Sequence, residues 1–154
     1  MGPNPTDRAK GGTKRSMLTE ACGVPIGLAV AGANRHDKKL VEETLESIPV
    51  PRPEPTEEDP QGICLDKGYD YDDTRELVKE FGYTAHIRWR CEERWGLRRK
   101  VRAKARRWVV ERTHSWLNRF RRILIRWEKK PENYVGMLHL AMGIIAWRSA
   151  GLFA

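Results

Sequence analysis

The sequence predicts a mixed α/β fold, a sheet with helices packed on it. Short apolar runs at 16–19, 26–30 and 63–65, and an alternating run at 83–89, have the character of strands. Between and after them the apolar spacing changes to the helical period. The resulting order, strand-strand-helix-strand-helix-strand-helix-helix, is that of a sheet covered by helices rather than of a bundle or a sandwich. A chain of 154 residues with 40% hydrophobic residues fits one domain, and at this size about 70% of the extended surface is buried on folding.

The elements follow in order. Residues 1–15 are rich in Gly, Pro and Lys without periodicity, and are expected to form a flexible, extended lead-in. The runs around Met17 and Leu28, on either side of Ala21-Cys22-Gly23, predict a hairpin. Asp37 stands at a helix N-cap position, followed by Leu40, Val41, Thr44, Leu45 and Ile48 at helical spacing. Five of the nine prolines and four acids lie between Pro49 and Pro60, so 49–61 is expected to be a Pro-rich acidic surface loop. Ile63-Cys64-Leu65 ends at Asp66, a buried strand with a carboxylate at its C-terminal end. Asp73 and Glu76 have capping-box spacing ahead of Leu77, Val78 and Phe81, and Gly82 stops that helix. Tyr83, Ala85, Ile87 and Trp89 then alternate with polar residues as a half-buried strand. The stretch 90–105 is basic and aperiodic, a loop. From about Arg106 to Arg122, Val109, Thr113, Trp116 and Phe120 form an apolar stripe. Arg107, Glu111, His114, Ser115, Asn118 and Arg122 form a polar one. Pro131 opens a last helix that is apolar nearly all round from Tyr134 to Trp147, and is therefore expected to be buried.

The charge is unevenly distributed. The formal net charge is +8 and the isoelectric point near 9.7. Residues 88–130 hold 17 Lys and Arg against four Glu, whereas 12 of the acids lie between Asp37 and Asp73. Such a one-signed run points to an anionic partner, nucleic acid foremost. Trp89, Trp95, Trp108 and Trp116 are interleaved with it and Trp127 closes it. Aromatic rings in that setting stack on bases or, more commonly, face the core. Three widely separated cysteines with no paired spacing argue against a disulfide framework or structural zinc, and for a reducing cytoplasm. With no apolar run of 18 residues and no hydrophobic core in the first fifteen, neither a membrane span nor a signal peptide is expected.

Two carboxylates carry the chemical argument. Asp66, at the C-terminal end of a buried strand, lies where open α/β sheets place their ligands, or else it caps the Lys67-Gly68-Tyr69 turn. Glu111 is, with Glu128, one of only two acids between Arg94 and Lys130; its alternative role is a helical ion pair with Arg107. Together the two have the character of a divalent-cation site under a basic rim, as phosphodiester chemistry requires. The third carboxylate such a site generally uses is not evident. Gly11-Gly12-Thr13-Lys14 lacks the spacing of a phosphate-binding loop, and the four histidines lack metal-ligand spacing.

Three motifs then come into view: Gly32-Ala33-Asn34-Arg35-His36-Asp37, Leu65-Asp66-Lys67-Gly68-Tyr69-Asp70, and the segment from Trp108 to Phe120 around Glu111-Arg112-Thr113-His114. With Arg126-Trp127-Glu128-Lys129-Lys130 and the final apolar helix, they resemble the C-terminal half of bacterial insertion-sequence transposases of the DDE class over nearly the whole chain. The resemblance implies a ribonuclease H-like mixed sheet with flanking helices, filling 16–154. It also implies an Asp, Asp, Glu triad holding two Mg²⁺ or Mn²⁺ ions, which cuts DNA at transposon ends and joins the 3′-hydroxyl to target DNA. Asp66 matches the second Asp and Glu111 the Glu, as metal ligands and catalytic residues. Arg107 matches the family's Arg in Arg-x-x-x-Glu, and Arg107, Arg112, Arg119, Arg121 and Arg122 are expected on or near the DNA-facing helix. Lys104 stands where many relatives have Tyr, and Asn118 where many have Lys. The family's first strand and its Asp lie upstream of the hairpin, and Asp7 is not expected to replace that Asp. The expectation is a fragment, inactive alone: a decayed or mis-started frame, or the downstream half of a frameshift product. A non-catalytic DNA-binding regulator that assembles with full-length transposase is the alternative. Either would work in the bacterial cytoplasm at the nucleoid.

Overall fold

The computed structural model describes residues 1–5, 7–87 and 107–151, the side chain of Arg107 excepted. The basic stretch 90–105, Trp89, Trp95 and Lys104 lie outside the described residues. Among the described residues the strands are β1 (Gly2–Pro3), β2 (Gly11–Thr19), β3 (Pro25–Gly32), β4 (Gly62–Leu65) and β5 (Thr84–Ile87). The helices are α1 (Val41–Glu46), α2 (Asp72–Glu80), α3 (Arg107–Asn118), α4 (Arg121–Leu124) and α5 (Pro131–Ser149). One sheet has the order β1-β2-β3 and the other pairs β4 with β5. The mixed α/β architecture expected from the sequence is therefore present.

The hairpin is longer than its apolar runs indicate. β2 and β3 pair antiparallel from Thr13↔Gly32 to Thr19↔Pro25, with an irregularity between Leu18 and Thr19. The supposed lead-in is thus partly regular: β1 pairs with Gly11 and Gly12 at the start of β2. Backbone ladder bonds need no apolar side chains, so strand there left no hydrophobic signal. β4 and β5 are parallel, Gly62↔Thr84 to Leu65↔Ile87, with α2 as the crossover that parallel pairing requires.

Alternation along β2 divides the interior. Met17, Val30, Trp116 and Phe120 pack on a core of Leu28, Leu117, Ile123, Tyr134, Leu138, Ala141, Met142 and Ile145. Leu18 joins a second core of Val41, Leu45, Ile63 and Val78. Neighbouring strand residues point to opposite faces, so the hairpin separates α3, α4 and α5 from α1 and the β4-α2-β5 unit.

Two helix starts differ from expectation. His36, not Asp37, caps the 3₁₀ turn Asp37–Leu40 that leads into α1: its side chain accepts from Lys38 N. Asp37 instead pairs with Lys14 at 3.1 Å. The capping box at Asp73 and Glu76 is not formed. Tyr71 is the N-cap of α2 without a side-chain bond, and Asp73 pairs with Lys38, whose hydrogen bond holds the carboxyl below the usual carboxylate range. The long helix expected to Arg122 is broken: Phe120, with extended backbone, starts α4 anew.

α5 is not buried all round. Tyr134, Leu138, Ala141, Met142 and Ile145 face the core, while Leu140 is 67% and Trp147 49% exposed. Among the described tryptophans, Trp108 and Trp127 are also half or more exposed. The 49–61 loop is non-helical as expected, and is tied down where Arg52 stacks 3.8 Å from the Tyr83 ring centre.

α1 is fastened to the hairpin by polar contacts. Thr44 donates to Leu40 O at 2.5 Å, Ser47 Oγ donates to Thr44 O at 2.7 Å, and Leu28 N donates to Ser47 Oγ at 2.7 Å. The approach is close enough that a Cβ on Gly27 would lie 2.7 Å from Thr44 O, a backbone atom. Gly27→Ala is accordingly expected to lower stability by about 1–3 kcal/mol, read as a lower urea midpoint at an unchanged m-value.

Candidate functional site

A cleft of about 690 Å³ opens between the two sheets. The end of β2 (Leu18, Thr19) with Glu20 beyond it, all of β4 with Asp66, and Val109, Val110 and Glu111 of α3 line it. Asp66 and Glu111, 45 positions apart in sequence, thus face the same space.

Asp66 is set by its strand. β4 ends at Leu65, and Asp66, with extended backbone, becomes the N-cap of the 3₁₀ turn Lys67–Tyr69. Its Oδ1 accepts from Lys67 N at 2.7 Å. The two sequence readings of this residue are therefore compatible, since one oxygen serves the turn and the half-buried carboxylate still borders the cleft. Tyr69 lines the same cleft. Burial, with the charges of Asp37 and Asp66 beside it, pushes its hydroxyl up to about 12, so it remains a neutral O–H donor across the physiological range.

Glu111 is set by its neighbours in α3. Val109 and Thr113 are buried, as the apolar stripe requires. Thr113 Oγ1 donates to Gly23 O at 2.7 Å and also lies 3.1 Å from Val109 O. Arg112 donates to Cys22 O and lies 4.7 and 4.8 Å from the Trp108 and Trp116 ring centres. The helix is thereby fixed to the β2-β3 turn, and the exposed Glu111 is left on the cleft side. Buried Thr113 was legible in the apolar stripe. That Arg112 engages the turn was not, because a long cation on a basic helix carries no signal for its partner.

The other expected DNA contacts fall in different places. Arg107 begins α3; its side chain lies outside the described residues. Arg112 is part-buried in the contacts just given, tethering α3 instead of projecting freely. Arg119 is exposed in the link after α3, and Arg121 and Arg122 are exposed on α4. Arg122 reaches Glu128 at 3.8 Å. Asp7 lies away from the cleft in the β1-β2 turn, paired with Lys10 at 3.5 Å. Glu20 and Asp59, which sequence reasoning did not single out, border the cleft. Among the described residues, however, no group of three His, Cys, Asp or Glu could hold a metal ion.

The donor chemistry fits a hard divalent ion in part: two carboxylates from two elements face one cleft, and oxygen donors of this kind suit Mg²⁺ or Mn²⁺. The polar face of α3 also presents His114 to Arg15, whose Nη2 donates to Asn118 Oδ1 at 3.0 Å. Burial first, and the Arg15 charge second, hold the imidazole below its ordinary value of 6.5. Folding thus favours neutral His114, and its contribution to stability is full above that ordinary value and is lost as pH falls through the folded one. Between pH 7 and 5, His114→Gln is expected to lose less thermal stability than the parent. Equal losses in a calorimetric series would exclude His114 as the source.

Three comparisons with known proteins bear on this site. The family described as Transposase DDE domain matches residues 2–145. A putative transposase for insertion sequence element IS402 from Burkholderia cepacia is 36% identical over 152 residues, which cover 96% of this chain and 69% of that protein. No solved structure matches the chain. No helix among the described residues is long and apolar enough to cross a membrane.

Proposed function

The chain belongs to the DDE-domain transposase family, and from that premise we propose that its cleft is the metal-dependent DNA-cutting and strand-transfer centre, with Asp66 and Glu111 as metal ligands. The observation that carries this reading is that the two acids, brought from a strand end and a helix, line one cleft. A divalent ion held by them would polarise a phosphodiester and favour attack on it. The chain's own residues orient the site: Lys67 N fixes one oxygen of Asp66, and the Thr113 and Arg112 contacts to the hairpin turn set the position of Glu111.

Two carboxylates rarely suffice for two ions. Among the described residues, β4 and the part of β2 beyond Gly12 each carry a strand partner on one edge only, and both strands border the cleft. A further strand seated there would join the two sheets, and a carboxylate on it would give the cleft a third ligand. DNA binding is assigned to Arg107, Arg119, Arg121 and Arg122 with the basic 88–130 segment, and Arg112 is assigned the role of positioning α3. Assembly with full-length transposase is the corresponding proposal for partners.

A second reading, DNA binding without cleavage, is favoured by the lack of a three-ligand group among the described residues. Supercoiled plasmid and Mn²⁺ separate the two. On the first reading, Mn²⁺ binding seen by electron paramagnetic resonance is weak in the parent and lost in Asp66→Asn and in Glu111→Gln, while DNA affinity changes less than about twofold. Nicking by the parent and by neither variant would make the chain self-sufficient. Mn²⁺ binding unchanged in both variants would remove the assignment. In every case DNA affinity should fall with salt at a log–log slope of about −0.9 per phosphate neutralised.

A further inference from the structure

A second pocket, of about 440 Å³, lies where α3 ends against the C-terminal end of α5. Trp116, Phe120, Ile144 and Ile145 form its apolar walls, and Arg119 and Arg148 stand at it with their side chains exposed. We propose that this pocket seats one unpaired nucleotide of the bound DNA, its base against the Trp116 and Phe120 rings and its flanking phosphates on Arg119 and Arg148. The proposal rests on the DNA-binding reading above.

Three observations support this occupant. Among the described residues neither Arg119 nor Arg148 has a carboxylate partner, although surface guanidiniums readily find one where acids are near. No acid occurs between residues 112 and 127, where five Arg lie, so the rim has only cationic neighbours along the chain and attracts an anion. The walls are also oriented in advance: Arg112 stands over the Trp116 ring at 4.8 Å, and both rings pack against the buried core. An aromatic and aliphatic slot beside two unpaired guanidiniums matches the flat apolar base and charged backbone of a nucleotide. A purely apolar partner would leave both charges unanswered.

The site is also well placed. Trp116 lies five residues beyond Glu111 on the same helix, about 7.5 Å along its axis at the α-helical rise. A strand crossing the cleft at Glu111 and rounding α3 reaches the pocket within a few nucleotides.

The test uses the whole chain and fluorescence anisotropy with two labelled duplexes, one ending in a single-nucleotide 3′ overhang and one in the same overhang without its base. The parent is expected to bind the base-bearing duplex about 5- to 100-fold more tightly, the range of one base–aromatic stack. Trp116→Leu should abolish that preference while leaving binding of the abasic duplex within about twofold. Arg148→Gln, an exposed change that does not threaten the fold, should weaken both and reduce the salt slope by about 0.9. Equal parent affinity for the two duplexes, or a preference that survives in both variants, overturns the pocket and leaves the DNA reading standing. Failure of the parent to bind either duplex overturns the DNA reading itself, and an acidic peptide partner would then be the occupant to examine.

Discussion

The attachment of α3 to the β2-β3 turn is the constraint on which the arrangement of this molecule depends. A buried threonine and a part-buried arginine reach the carbonyls of Gly23 and Cys22, closing contacts across 90 residues of chain. The turn can offer those carbonyls because Gly23 adopts φ +92, a left-handed conformation that costs an ordinary residue about 1–2 kcal/mol. It also has no side chain to obstruct Arg112, whose Nη2 would lie 2.9 Å from a Cβ there. Without this joint, α3 would keep its core packing and the Arg15–Asn118 bond near its far end, but the part that carries Glu111 at the cleft would lose its polar ties to the turn.

The hairpin serves as the partition around which the rest assembles. Met17 and Leu18 are adjacent in sequence yet belong to different cores, and that single step of alternation determines which helices lie on which side. Charge follows the same division. The acids cluster in the stretch that carries α1, β4 and α2, and the cations in the stretch that carries α3 and α4. The cleft lies where the two meet, which is the electrostatic setting in which a cation bound by carboxylates can face a polyanion.

Much of this was legible in the residues. Ile63-Cys64-Leu65 ending at Asp66, the Val109-Thr113 stripe and Pro131 as a helix start all appear in the structure with little displacement, because burial and the proline's fixed φ leave local marks. What was not legible depends on distant partners. The first half of β2 consists of Gly, Thr, Lys and Arg, and is a strand because β1 and β3 pair with it. Asp37 and Asp73 look like helix caps locally, but Lys14 and Lys38 compete for them. The apolar composition of α5 indicates burial on every side, yet contacts among the described residues cover one face. For the candidate site, the identities of Asp66 and Glu111 came from position and resemblance, whereas their sharing of one cleft is a property of the tertiary fold alone.

The small helix α1 has a consequence larger than its six residues. Its Val41 and Leu45 belong to the core of the β4-α2-β5 unit, while Thr44 Oγ1 lies within hydrogen-bond distance of Ser16 Oγ on β2, at 2.7 Å, and Ser47 accepts from Leu28 of β3. It is therefore a strut between the two halves of the molecule. A helix that lends no side chain to the cleft thus ties together the sheets that form its opposing walls.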